Sequence, residues 1–174
     1  MKRTFLILCA AMALAAAAAA WAADAPGIAQ ATLVDKDGNV VGVAVITESP
    51  EVGVNITLNV RGLPPGPHGF HIHEAGKCEA PDFKSAGGHF NPYGRKHGLR
   101  NPEGGHGGDL VNLMVAPDGT AAAVRTAPLT LASLLGEKGT AVMIHAGPDD
   151  YMSDPAGNAG ARIACGVIKA VGKP

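Results

Sequence analysis

Val40-Val41-Gly42-Val43-Ala44-Val45-Ile46-Thr47 and, after Glu48-Ser49-Pro50-Glu51, Val52-Gly53-Val54-Asn55-Ile56-Thr57-Leu58-Asn59-Val60 are runs rich in β-branched side chains. A branch at Cβ restricts χ1 and packs well on a pleated surface, so both read as strands. Leu110 to Ala116, Thr120 to Thr126 and Ala141 to Ala146 repeat the rhythm, and Lys36-Asp37-Gly38-Asn39 and Pro117-Asp118-Gly119 supply turns. Ile28 to Asp35, Gly69 to Glu74 and Arg162 to Ala170 bring the total to about eight strands. The pattern predicts an all-β fold, an eight-stranded antiparallel Greek-key sandwich or flattened barrel. Ala132 to Leu135 reads as a single helical turn, and no long amphipathic helix or internal repeat interrupts the strands.

Two segments break that rhythm. Ala75 to Asp109, about 35 residues, is crowded with Gly, Pro, His and Asn and has no apolar periodicity. A structureless loop of that length in a small domain is usually functional or disordered, and its histidines favour function. Gly147 to Ala161, with Pro148-Asp149-Asp150-Tyr151 and Pro155-Ala156-Gly157-Asn158, reads as the facing wall.

Met1-Lys2-Arg3 followed by the apolar run Thr4 to Ala20 has the charged and apolar regions of a secretory signal. Ala20-Trp21-Ala22 suits signal peptidase, so residues 1–22 are expected to be removed and 23–174 to form one domain. A membrane span fits less well, because the run is short, alanine-rich and followed by Asp24-Ala25-Pro26-Gly27. Cys9 lies within the apolar run and is discarded with it. Cutting 22 residues from the 174 leaves 152, enough for one well-filled core. Taking Lys2 and Arg3 from the 14 basic residues leaves 12 against 15 acidic ones, a net charge of −3 with neutral histidines. That balance argues against nucleic acid or an anionic membrane surface as partner. Cys78 and Cys165 survive processing, which in an exported chain permits one intramolecular bridge or two free thiols.

All seven histidines fall between His68 and His145. In Gly69-Phe70-His71-Ile72-His73-Glu74 the strand period of two places both imidazoles on one face, where they can chelate a metal, with Ile72 on the other. His89, His97, His106 and Asp109 follow in the long loop, and three neutral imidazoles with a carboxylate fill a zinc tetrahedron. Glycines let that backbone bend until its ligands converge. His145, ending Ala141-Val142-Met143-Ile144, can return to the His71 and His73 face and complete a second, histidine-only site.

Gly69 to Glu74, Gly87-Gly88-His89-Phe90-Asn91-Pro92, His106-Gly107-Gly108-Asp109-Leu110 and Gly157-Asn158-Ala159-Gly160-Ala161-Arg162-Ile163-Ala164-Cys165-Gly166-Val167-Ile168 resemble the signature segments of the Cu/Zn superoxide dismutases. The likeness covers nearly the whole of 23–174, and the short His73-Glu74-Ala75-Gly76-Lys77-Cys78 spacing resembles the bacterial periplasmic branch. The resemblance implies copper at His71, His73, His89 and His145, and zinc at His89, His97, His106 and Asp109, with His89 bridging the two metals. It implies a Cys78 to Cys165 disulfide, Arg162 as the active-site arginine, and Asp149 as the carboxylate that accepts hydrogen bonds from His71 and His97. His68 resembles a structural histidine that bonds backbone groups and no metal.

The implied reaction converts superoxide to dioxygen and hydrogen peroxide, with His89 and Arg162 as its catalytic residues. It needs a one-electron carrier, which copper can be and zinc cannot. The substrate is an anion and the chain is net negative, so attraction must be local, with Arg162 its main source. Gly147 to Ala161 holds no lysine that could guide superoxide from further out; Lys77 and Lys84 in the other loop could substitute, but each reads first as part of a solvated face. A periplasmic or otherwise exported location follows from the signal. The resemblance leaves the assembly state open, a homodimer included, because the family's branches assemble through different surfaces. Two other classes share the fold: a copper-storage module without turnover, against which the full zinc set and Arg162 argue, and an adhesion-type β-sandwich, which would bind no metal.

Overall fold

The computed structural model describes residues 27–172; the expected signal at 1–22 lies outside them. Ten strands run in the order β1 (Ile28–Asp35), β2 (Val40–Ser49), β3 (Gly53–Val60), β4 (Gly66–His68), β5 (Phe70–His73), β6 (Leu113–Val115), β7 (Ala121–Ala127), β8 (Ala141–His145), β9 (Arg162–Val167) and β10 (Lys169–Val171). The α-helical turn α1 (Leu131–Leu134), the only one among the described residues, sits one residue earlier than expected. Thr130 and Ser133 fix its start by bonding each other's backbone in a reciprocal cap.

Seven strands curl into one antiparallel sheet ordered β5-β8-β9-β1-β2-β3-β7, with β10 added beside β1 and a separate β4-β6 pair. β5 and β7 hold opposite ends of the sheet although β6 alone separates them in the chain, so the connections cross over in Greek-key fashion. The expected strand at Arg162 to Ala170 is two: Ile168 turns inward between β9 and β10 and donates its N–H to the Thr140 carbonyl. The expected strand at Leu110 to Ala116 shortens to β6, because the Arg125 and Tyr151 side chains, and no neighbouring strand, bond the backbone of Val111 and Asn112.

Leu33, Ile46, Ile56, Leu58, Phe70 and Ile144 are fully buried in the main core inside the curl. A smaller cluster lies on the outer face, where Phe83 and Ala86 from the long loop pack on Ala141, Met143 and Cys165. That second core seats the 75–109 loop against the sheet. The loop contains one 3-10 turn (Lys84–Ala86) and otherwise no regular element.

The loop also zips along the free edge of β5. Ile72 donates to the Gly108 carbonyl, Phe90 to that of Ile72, and Gly108 to that of Phe90, each at 2.8 Å. The approach is so close at Gly108 that a Cβ there would stand 2.3 Å from the Ile72 carbonyl oxygen, which explains a glycine next to Asp109.

Candidate metal centre

β5 and β8 pair so that His71 faces Met143 and His73 faces Ala141 across the ladder. Alternation then puts His71, His73 and His145 on the outer face, while Ile72 and Ile144 go to the core. A register shift between Ile144 and His145 re-aims the last side chain at the end of β8. The loop delivers His89 opposite His73 and Asp109 opposite His71, as isolated antiparallel bridges.

Two donor sets result. One nitrogen each from His71, His73, His89 and His145 lie within 4.8 Å of one another, and so do ligand atoms of His89, His97, His106 and Asp109. His89 belongs to both sets. His71, His73, His89, His97, His145 and Asp109 are all buried, and His106 is nearly so.

Hydrogen bonds decide which nitrogen of each ring is free. The Gly87 carbonyl can only accept, so Nδ1 of His73 donates to it at 3.0 Å and Nε2 keeps its lone pair. Nδ1 of His145 donates likewise to Gly160 O at 3.2 Å. In His71 the roles reverse, with Nε2 donating to Asp149 Oδ2 at 2.8 Å. The four remaining nitrogens, His71 Nδ1, His73 Nε2, His89 Nε2 and His145 Nε2, are the buried side-chain atoms without a hydrogen-bond partner among the described residues. An orphaned buried polar atom costs roughly 1–3 kcal/mol, and four converging ones fit a metal that accepts imidazole nitrogen, as copper does.

The second set is built around Asp109. Its Oδ1 lies 2.8 Å from His89 Nδ1, 3.1 Å from His97 Nδ1 and 3.3 Å from His106 Nδ1, while Oδ2 accepts the backbone N–H groups of Gly98 and His106. Three nitrogens and one carboxylate oxygen suit a closed zinc site.

Burial sets the protonation of these rings. Desolvation, with the neighbouring imidazoles and Arg162, pushes His73 down to about 2 and His145 down to about 3. Burial likewise lowers His89 to about 4 against the opposing pull of Asp109. His97 is the exception: burial pushes it down, but hydrogen bonds to Asp109 and Asp149 outweigh that and raise it to about 9. Burial would raise both aspartates, yet their histidine partners hold both well below the usual carboxylate range.

Asp149 is 3 % exposed and joins the two sets: Oδ2 accepts a hydrogen bond from His71 Nε2, and Oδ1 accepts one from His97 Nε2 at 3.0 Å. His68 stands outside the cluster, with its ring nitrogens 2.7 Å from the carbonyls of His145 and Pro64. Arg162, half-buried at the start of β9, donates to the carbonyls of Phe83 and Gly87, both at 2.6 Å. The Gly87 carbonyl is the one that also orients His73. Cys78 and Cys165 form a disulfide. Lys84 is paired with Asp82 at 2.9 Å on the exposed surface of the loop.

Glu74 and Asp154 are among the supporting residues that escaped the sequence reading. Glu74 accepts the Gly88 N–H, and Asp154 accepts that of His97 at 2.7 Å; each fixes the backbone at or beside a candidate ligand. The Glu74 position next to His73 offered a signal, whereas Asp154 lies 57 residues from its partner and offered none.

Fold and site together define a class: a Greek-key β-protein carrying a paired, histidine-rich metal centre. Residues 40–168 match the family model for copper/zinc superoxide dismutase (SODC). The chain is 54% identical over 148 residues to superoxide dismutase [Cu-Zn] 2 of Aquifex aeolicus (strain VF5), covering 81% of this chain and 86% of that protein. Among solved structures, a SOD-like protein from Bacillus subtilis aligns with TM-score 0.77 at 44% identity, covering 79% of this chain and 96% of that one. The Cu/Zn superoxide dismutase from Brucella abortus aligns with TM-score 0.69 at 37% identity, covering 82% and 99%. The chain belongs to the copper/zinc superoxide dismutase family, whose enzymes use copper and zinc to convert superoxide to dioxygen and hydrogen peroxide.

Proposed function

We propose that this chain dismutates superoxide at the paired site, with His71, His73, His89 and His145 holding copper and His89, His97, His106 and Asp109 holding zinc. The observation that carries the reading is the convergence of four buried, unpartnered imidazole nitrogens beside a second set that shares His89. Copper, when bound, supplies the reversible one-electron change by which two superoxide ions and two protons become dioxygen and hydrogen peroxide.

The chain's own residues supply the rest. His71 is locked by Asp149, and His73 and His145 by backbone carbonyls, so three rings are oriented before any metal arrives. His89 presents Nε2 to those rings and Nδ1 to Asp109; whenever Nε2 is not bound to copper, it can hold a proton for the peroxide product. Arg162 receives the anion. Its charge lies close enough to push down the protonation of His73 and His145, and a planar guanidinium can bond superoxide through two N–H groups. Asp82 offsets the charge of Lys84, which weakens that lysine as an outer guide.

Export of residues 23–174 after removal of 1–22, to the periplasm or beyond the cell, belongs to the same reading. The Cys78–Cys165 bridge supports it, since such bonds persist in oxidising compartments. The mass of the protein recovered from a periplasmic extract checks the cleavage point. The function itself is tested by measuring superoxide decay with copper and zinc content determined on the same sample. Full loading of both metals without accelerated decay would refute the reading in favour of storage.

A further inference from the structure

Asp149 grips His71 and His97 by its carboxylate, but something must hold Asp149. Its backbone is clasped on both sides by one side chain: Asn112 Nδ2 donates to Asp149 O, and Asp149 N donates to Asn112 Oδ1, both at 2.9 Å. A primary amide is the one side chain that offers donor and acceptor in a single plane in this way. Asn112 is itself held. Its N–H donates to the Tyr151 hydroxyl at 2.8 Å, and its carbonyl accepts Arg125 Nη2 at 2.8 Å while Arg125 Nε bonds Val111 O. Arg125 lies on β7, so the clasp is anchored in the sheet.

Tyr151 closes the ring. Its N–H donates to Asp149 Oδ1 at 2.7 Å, its backbone takes the left-handed φ of 66°, and its ring lies 5.2 Å beneath the Arg100 guanidinium. The segment 109–112 thus carries Asp109 at one end and, through Asn112, fixes Asp149 at the other. These carboxylates hold the two nitrogens of His97, at 3.1 Å and 3.0 Å.

We propose that Asn112, backed by Tyr151 and Arg125, is a positioning residue that sets the separation of Asp109 and Asp149 and so clamps His97 for the metal it shares with His89, His106 and Asp109. The proposal rests on the zinc assignment above. Partners beyond the ligands typically alter metal affinity about 10- to 100-fold when lost, and this one acts on two ligand contacts of a single ring.

The test uses Asn112→Ser in the fully metal-loaded protein. Zinc transfer to a chromophoric chelator should become at least tenfold more favourable. In the reduced protein, NMR should show the His71 and His97 Nε2 protons exchanging with solvent at least tenfold faster while the backbone amides of the core strands exchange as in the parent, a pattern that a general loss of stability, which speeds both, would not produce. Zinc affinity within twofold of the parent and unchanged proton exchange would overturn the proposal. If Asn112→Ser does not fold, Tyr151→Phe removes only the hydroxyl under the Asn112 amide: affinity lowered threefold or more upholds the clasp, and an unchanged value overturns it. A parent protein that binds no zinc would instead sink the zinc assignment.

Discussion

Removing the disulfide by the double substitution Cys78→Ala and Cys165→Ala gives a loss that can be worked from the chain itself. The bridged residues are 87 apart, and tying such a loop restricts the unfolded ensemble by about 4.5 kcal/mol at 25 °C in the chain-entropy account. Cys165 is fully buried in the outer cluster, so alanine is the right replacement, because serine would add a buried hydroxyl. For a chain of this length one kcal/mol is roughly 2–4 °C of melting temperature, which predicts a fall of roughly 9–18 °C. The assay is thermal unfolding of metal-free protein by circular dichroism, since bound metal would add its own stabilisation. Residual structure in the unfolded state trims the figure but leaves several degrees. A fall under about 4 °C would refute the reasoning and mean that the loop is held by Phe83 and Ala86 packing alone.

Substituting Arg162→Ala should lower kcat/KM roughly tenfold and flatten its dependence on ionic strength in pulse-radiolysis measurements; a rate and salt slope equal to the parent's would move guidance elsewhere. Gly157 has φ 64°, and a Cβ there would stand 1.8 Å from Asp149 Oδ1 and 2.6 Å from His97 Nε2. Gly157→Ala should therefore cost at least about 2 kcal/mol and release zinc, read by urea unfolding and elemental analysis. His73, His145 and His89 have folded-state values of about 2, 3 and 4, below the unfolded value near 6.5. The unfolded chain then binds more protons between pH 6.5 and 4, so metal-free stability must fall as pH falls, by up to roughly 1.4 kcal/mol per unit per ring. His97, raised to about 9, is protonated in both states only well below pH 6.5; its stabilisation declines as pH rises from about 6.5 through about 9, so near 6.5 it offsets part of the slope of one ring. A urea midpoint constant from pH 6.5 to 4.5 would contradict this.

The main sheet was legible because its strands carry β-branched residues at short, turn-bounded intervals. β4 was not: Gly66-Pro67-His68 contains no strand former and is extended because β6 pairs with it. The break at Ile168 was equally hidden, since the residue suits a strand and leaves the ladder only to fill the core. Within the site, residue types named the donors, but a sequence carries no record of which ring nitrogen meets a carbonyl. The tautomers of His71, His73 and His145 depend on partners 78, 14 and 15 residues away. Asn112 escaped for the same reason: its clasp on Asp149 spans 37 residues and involves only backbone atoms of that partner, so no side-chain chemistry marks it.

The Gly87 carbonyl accepts from both Arg162 and His73. For a protein engineer this shared acceptor makes the centre a coupled design variable. Re-aiming the arginine would move the oxygen that orients the His73 ring, so any substitution at position 162 also alters the setting of a candidate metal ligand.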